Sequence, residues 1–321
     1  MEEIKGIKAV PVNEYYMSGH RTCQGCQPAL AMRLTAKAIG PRSVILGSTG
    51  CMYVANTSYY TTPWAIPWMH TQLGSAGSAA LGTSAGLKAL MRKGSLKEET
   101  INVVAICGDG GGADMGLSAI SAALTHSQYN CLILMYDNEA YANTGIQASS
   151  TTPWGAVTRF TPSGSIHHIT QTRLKKNMAG MMAAGHPECK YVATVCPSLA
   201  VDMMNKINKA LTIGGPTFIH CLTPCPKGWG FDPSLSHQLG LLAIETGVWP
   251  LYEIENGKVQ FYGRSKSIAQ GGGRKPVREY LQKQDRFAHL TEEDLDHFQS
   301  SIDEMWQKWM VPGVIPLRQR I

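Results

Sequence analysis

Aromatic and charged side chains are both scarce in this chain of 321 residues, at 8% and 16% of the composition. With 44% hydrophobic residues, the low charge excludes an intrinsically disordered chain and fits a globular one with a large buried core. No internal repeat or low-complexity tract is present, which excludes solenoids and fibrous arrays. The net charge of +6 is spread over small clusters such as Lys175-Lys176 and 264–275. No basic stripe interleaved with aromatics occurs, so nucleic acid is not an expected partner, although the surface lysines can help an acidic protein to dock. No long uninterrupted apolar run occurs either. The most hydrophobic helical stretch, 73–91, is rich in Gly, Ser and Ala and contains Lys88, which suits close packing in a core better than a membrane span. Residues 1–10 carry two glutamates and two lysines and no apolar signal core. Nine cysteines without an export signal point to a reducing, cytoplasmic setting.

Short apolar runs at 43–47, 101–107, 131–137, 191–195 and 217–221 read as buried strands. Between them, 28–39, 75–92, 115–126, 178–185 and 199–211 read as helices. This alternation predicts an α/β fold, a doubly wound parallel sheet with helices on both faces, in which ligands bind beyond the carboxyl ends of the strands. We expect one domain over 1–321, with a core at about 19–247 and an irregular to helical C-terminal extension at about 248–321. Two stretches break the rhythm. The long polar segment 138–172 has the length of a functional connection. From Pro224 the pattern turns irregular, passes the glycines at 271–273 and resumes helical spacing over 276–307.

The strand 101–107 runs into Gly108-Asp109-Gly110-Gly111-Gly112 and then a helix. Glycines let the backbone turn sharply and approach a ligand without a Cβ, and amides at a helix start attract diphosphate oxygens. Asp109 is a hard oxygen donor of the kind magnesium takes, although alone it also reads as a helix-capping aspartate. The next strand ends at Asn138, 29 positions after Asp109. If the two strands are neighbours in a parallel sheet, Asp109 and Asn138 emerge side by side. A Gly-Asp-Gly followed at this distance by Asn matches the thiamine-diphosphate signature.

The cysteines form a second constellation. Cys23 and Cys26 are a Cys-x-x-Cys pair before a helix; Cys51 follows the first strand and Cys225 sits in Pro224-Cys225-Pro226 after the last core strand. Four thiolates suit zinc or a [4Fe–4S] cluster, and spacing does not choose between them. Cys107, Cys131 and Cys221 fall in or beside core strands and read as buried small hydrophobes, with Cys221 the rival to Cys225 for the fourth place.

The motifs then combine. Gly19-His20-Arg21-x-Cys23-x-x-Cys26, Thr49-Gly50-Cys51-Met52, Pro67-Trp68-x-His70, Gly108-Asp109-Gly110-Gly111, Tyr136-Asp137-Asn138-Glu139-Ala140-Tyr141-x-Asn143-Thr144-Gly145-x-Gln147 and Pro224-Cys225-Pro226-x-Gly228-Trp229 stand in this order. The chain resembles, over nearly its whole length, the β subunit of the pyruvate:ferredoxin oxidoreductases and their relatives. The resemblance implies a thiamine diphosphate-binding fold and three cofactors: thiamine diphosphate, Mg2+ and one [4Fe–4S] cluster. It implies cluster ligation by Cys23, Cys26, Cys51 and Cys225, and magnesium held by Asp109, Asn138 and the backbone carbonyl of Ala140. Gly50, Cys51, Gly108, Gly110 and Gly111 would lie against the cofactor, and Asn143 would face the thiazolium carbon and the substrate.

The activity so implied is oxidative decarboxylation of a small 2-oxoacid or oxalate, with electrons passing through the cluster to ferredoxin. Asn143 is the candidate donor for developing negative charge, against a reading as a turn-stabilising asparagine. His70 is a weaker candidate, set against a buried, hydrogen-bonded structural histidine. Two departures from the pyruvate pattern, Tyr53 after Cys51-Met52 and Thr71-Gln72-Leu73-Gly74 after His70, shift the substrate expectation slightly towards oxalate, with pyruvate as the alternative. A non-redox thiamine-dependent decarboxylase or carboligase shares the Asp109/Asn138 pair but leaves the cysteines unexplained. No motif identifies the glutamate that activates the aminopyrimidine, so the resemblance assigns it, with substrate-binding residues and further clusters, to other subunits of the same oxidoreductase.

Overall fold

Successive residues of the two central strands are apolar on both sides, so both faces of the sheet need cover. The structure is a computed structural model describing residues 3–57 and 61–309. In chain order the elements are α1 (Gln27–Ile39), β1 (Ser43–Ser48), α2 (Cys51–Val54), β2 (Trp68–Thr71), α3 (Ala76–Arg92) and β3 (Asn102–Gly108). A π-helical turn (Gly110–Met115), α4 (Leu117–Leu124), β4 (Cys131–Asp137), α5 (Met178–Gly185), β5 (Tyr191–Val195), α6 (Ala200–Thr212) and β6 (Pro216–Leu222) follow. The chain then forms α7 (Pro226–Trp229), α8 (Ser236–Glu245), β7 (Tyr252–Glu255), β8 (Lys258–Phe261), α9 (Gly263–Ala269), α10 (Arg278–Leu281) and α11 (Glu292–Trp309).

All eight strands belong to one sheet in the order β2-β1-β3-β4-β6-β5-β7-β8. β1 to β6 are parallel, whereas β7 and β8 join antiparallel at one edge. Alternation along β3 divides the interior in two. Val103, Ala105 and Cys107 enter a core with α3, α4 and the C-terminal helices, while Val104 and Ile106 enter one with α1 and α6. β1, β3, β4, β5 and β6 thus contribute side chains to both faces, as a doubly wound sheet requires.

The five expected strands and five expected helices are present, with ends shifted by one or a few residues. Three further strands lack the apolar run that would announce them. β2 lies at an edge and carries only half-buried and exposed residues. β7 and β8 form a hairpin around Asn256-Gly257, both at positive φ (48° and 75°), a turn signal in a stretch expected to be irregular. The helical spacing at 276–307 resolves into α10, a short 3-10 turn (Asp285–Phe287) and α11. The part of the C-terminal extension beyond 309 lies outside the described residues.

Candidate cofactor site at the strand tips

β3 and β4 are neighbours, with Gly108 opposite Tyr136, so Asp109 and Asn138 emerge side by side at the carboxyl edge. One terminal atom of the Asn138 amide lies 3.0 Å from Asp109 Oδ1 and 2.8 Å from the carbonyl oxygen of Ala140. With the protein alone, the amide nitrogen fits that place and donates to both oxygens. With the amide oxygen turned in, a carboxylate, an amide and a backbone oxygen converge, the donor set of a hard divalent cation. The residues present therefore fit magnesium.

Asp109 is buried and coupled to the long connection after β4, whose Ser149 and Thr151 hydroxyls both donate to Asp109 Oδ2. Thr151 Oγ1 also lies 2.8 Å from Asp137 Oδ1. Burial, and then the Asp137 charge, push the Asp109 pKa well above the usual carboxylate range. A cation beside it would reverse that balance and favour the anion. For Asp137 burial also opposes ionisation. There Lys175 Nζ at 2.7 Å and His220 Nε2 at 2.8 Å outweigh it and hold the pKa below the ordinary value.

After Gly108 the backbone winds directly into the π-helical turn, closed by the Gly116 N–H donating to the Gly111 carbonyl at 2.8 Å. Turns of this kind occur often at functional sites. The glycines are required here by close approach. A Cβ on Gly110 would stand 2.4 Å from the Tyr141 ring, and one on Gly111 2.7 Å from the Leu73 carbonyl oxygen.

Gly50, Cys51, Gly108, Asp109, Gly110, Gly111, Asn138, Ala140 and Asn143 all line one cleft at this edge. Asn143 is exposed there. The turn that follows is made by others: Thr144 Oγ1 donates to the Tyr141 carbonyl and Gln147 Nε2 to the Thr144 carbonyl. The turn therefore does not consume the Asn143 amide. His70 was weighed as a buried structural histidine, but it is exposed at the rim, 2.9 Å from the Thr49 hydroxyl, which lines the cleft.

Cys51 brings the cleft next to the other cysteines. Burial, then repulsion from Cys225, raises the thiol pKa of Cys51 to about 12; Cys26 and Cys23 add to the effect. Cys26 is pushed up to about 12 by burial, with Cys225 and Cys23 contributing. The four sulfurs thus sense one another across one region, where a metal would convert them to thiolates. Among the described residues no group of three or more His, Cys, Asp or Glu is drawn closely enough to enclose a single metal ion. Cys23, Cys26, Cys51 and Cys225 form a four-thiol donor set that suits either a [4Fe–4S] cluster or zinc. Cys221, the rival, lies on β6 itself and is fully buried, and the ionisable groups that act on its thiol are Cys196 and Asp137, none of the four cysteines above. Cys225 lies beyond the strand, where its sulfur accepts from the Gly228 N–H at 3.2 Å.

Sequence reasoning missed several supporting groups. Ser149 and Thr151 lie in a Ser/Thr run whose polarity was visible but whose target was not. The Tyr136 hydroxyl sits beneath Gly50, 3.5 Å from the Met52 nitrogen. Trp229 Nε1 donates to the Asn138 carbonyl at 2.8 Å. The two departures that tilted the substrate towards oxalate have structural explanations. Tyr53 is fully buried with its ring against Gly47, where a Cβ would come within 1.5 Å. Gln72 turns back to accept from the Gly74 N–H at 2.9 Å, and Leu73 packs on Gly111.

The comparisons with known proteins agree with this geometry. Residues 48–221 match the family model of the thiamine pyrophosphate enzyme C-terminal TPP-binding domain. The chain is 48% identical over 301 residues to the pyruvate synthase subunit PorB of Methanocaldococcus jannaschii, covering 93% of this chain and 97% of that protein. It is 39% identical to the PorB subunit of Pyrococcus furiosus, covering 96% and 97%. To the ketoisovalerate oxidoreductase subunit VorB of Pyrococcus horikoshii it is 36% identical, covering 96% of each chain. Among solved structures, 2-oxoglutarate:ferredoxin oxidoreductase from Magnetococcus marinus shares the fold, with a TM-score of 0.56 at 19% identity over 84% of this chain and 89% of that one. Strand-tip geometry, family model and full-length relatives agree, and the chain belongs to the thiamine-diphosphate-binding β subunits of the 2-oxoacid:ferredoxin oxidoreductase family.

Proposed function

We propose that this chain is the thiamine diphosphate subunit of a pyruvate:ferredoxin oxidoreductase, a cytoplasmic enzyme that decarboxylates pyruvate oxidatively and passes the electrons to ferredoxin. The observation that carries the reading is the convergence of Asp109 Oδ1, the Asn138 amide and the Ala140 carbonyl in a cleft whose wall includes Cys51. The names of the relatives support pyruvate over oxalate, and so reverse the ranking drawn from the sequence. The buried position of Tyr53 removes one ground for the earlier order.

Thiamine diphosphate, when bound, supplies the nucleophilic carbon and the electron sink that decarboxylation of a 2-oxoacid demands. Asp109, Asn138 and the Ala140 carbonyl would hold the magnesium that anchors the diphosphate, with the Gly110 and Gly111 amides facing its oxygens. Asn143 would donate to negative charge developing at the substrate. Cys23, Cys26, Cys51 and Cys225 would hold a [4Fe–4S] cluster, and Cys51, which lines the cleft, keeps the electron path short. Partner subunits would supply the activating glutamate and the remaining substrate contacts.

The test is an assay of the purified complex with pyruvate, 2-oxoisovalerate, 2-oxoglutarate and oxalate, each with and without coenzyme A, with viologen or ferredoxin as acceptor. Pyruvate should give the highest kcat/KM. A higher value for oxalate, or turnover without any electron acceptor, would end this reading.

A further inference from the structure

A line of buried charge beneath the cleft takes no part in the chemistry described so far. Glu139, between the two cation-site residues Asn138 and Ala140, has φ +62°, a conformation that side chains larger than Gly rarely adopt. It is 3% exposed, and both its carboxylate oxygens are engaged. Lys175 Nζ lies 2.5 Å from one and Arg286 Nη2 2.6 Å from the other, while Thr152 Oγ1 donates to the Glu139 carbonyl at 2.6 Å. The left-handed residue reverses the chain so that the Asn138 side chain comes within 2.8 Å of the Ala140 carbonyl.

Arg286 arrives from far along the sequence, in the 3-10 turn between α10 and α11, and is itself buried. Its guanidinium also lies over the Trp229 ring, 4.0 Å from the centroid. Trp229 joins the two halves of the site. Its indole N–H donates to the Asn138 carbonyl at 2.8 Å, and its backbone N–H donates to the Cys225 carbonyl at 2.9 Å. One side chain from the C-terminal part therefore touches the residue that shapes the cation site and the ring that ties this site to the Cys225 loop.

We propose that Arg286 is a positioning residue: through Glu139 and Trp229 it holds the Asn138–Ala140 turn in its cation-binding shape and at a fixed spacing from Cys225. The proposal rests on the reading of Asp109, Asn138 and Ala140 as the magnesium site. A purely stabilising ion pair would behave differently. Removing one partner leaves a buried charge and lowers stability, whereas removing both restores much of it. The shape of the turn would not return with the stability.

The experiment compares the wild-type complex, Arg286→Met and the double variant Glu139→Gln/Arg286→Met. Each is stripped of cofactor and titrated with Mg2+ at fixed thiamine diphosphate. Arg286→Met should raise the half-saturating Mg2+ concentration by about 10–100-fold, the usual effect of losing a group that orients a metal ligand. The double variant should regain melting temperature yet keep the weakened Mg2+ response. Arg286→Lys, which keeps the charge without the planar stacking, should fall between wild type and Arg286→Met. It carries the comparison if Arg286→Met does not assemble. Wild-type Mg2+ dependence in Arg286→Lys and the double variant, or recovery of Mg2+ binding together with stability, would overturn the proposal. A wild-type complex that binds thiamine diphosphate without Mg2+ would instead bring down the underlying cation-site reading, and this proposal with it.

Discussion

Asp109 and Asn143 occupy the same cleft but answer to different physics. Asp109 is buried and, with the protein alone, disfavours ionisation, a balance that the proposed cation would reverse. If Asp109 is a magnesium ligand as proposed, Asp109→Ala should weaken Mg2+-dependent thiamine diphosphate binding by at least about 10–100-fold, the cost of losing even an orienting group. Calorimetric titration measures it, and unchanged affinity would favour a scaffold without an active site. Asn143 is exposed in the cleft and is not needed by the turn that Thr144 and Gln147 make. Asn143→Ala should therefore leave cofactor affinity intact and lower kcat by ~10²–10³. An unchanged kcat in steady-state assays would return Asn143 to a structural role. Both residues were singled out from the sequence, Asp109 by its place after a strand and its spacing from Asn138, and Asn143 through the family resemblance. Ser149 and Thr151, which hold Asp109 in place, were not, because their contacts depend on how a long connection folds back.

Among the elements, the parallel pairing of β3 and β4 brings Asp109 and Asn138 together, and a clamp ties α1 to the N-terminal segment. Glu14 accepts from Arg33 Nε at 3.0 Å and lies 2.8 Å from Lys37 Nζ, while Lys37 also donates to the Pro11 carbonyl at 2.7 Å. The Arg33 hydrogen bond, helped by Lys37, outweighs the cost of burial and lowers the Glu14 pKa from the ordinary 4.5 to about 2. For a carboxylate whose folded pKa is depressed, the stabilisation is full above the unfolded value and is lost as pH falls through the folded one. The clamp should therefore hold above pH 4.5 and fade towards pH 2. The effect is modest, because Arg33 is largely exposed and its charge is screened. Melting temperatures of wild type and Glu14→Gln across this range should converge at the acid end. A gap that persists at low pH would assign the loss to packing instead of charge. Tyr53, by contrast, was misread at the sequence level: an altered residue beside a cofactor motif suggested an altered substrate, yet its ring fills the space above Gly47 in the core.

For the molecule as a whole, the cleft is built from strand tips and loops of one chain, but no glutamate of this chain lines it among the described residues. The chain reconstituted alone with thiamine diphosphate, Mg2+ and about four irons should show the colour of a cluster and no reduction of viologen. Adding the partner subunits should restore turnover. Full activity of the isolated chain would show that the activating group lies within it. The C-terminal part, expected as an appendage, adds β7 and β8 to the main sheet and sends Arg286 beneath the cofactor cleft. No helix among the described residues is long and apolar enough to cross a membrane, in line with the absence of long apolar runs.

The order of the five central strands and the helices between them, the Asp109/Asn138 pair and the four spaced cysteines were legible in the sequence alone, because each depends on local pattern or on residue identity at a set spacing. The sheet order and the convergence of Asn138 with Asp109 and the Ala140 carbonyl were decided only by the tertiary structure. So was the reach of Arg286 to Glu139 across 147 positions of sequence. Contacts at that separation follow from how both faces of the sheet are covered, and no local pattern encodes them.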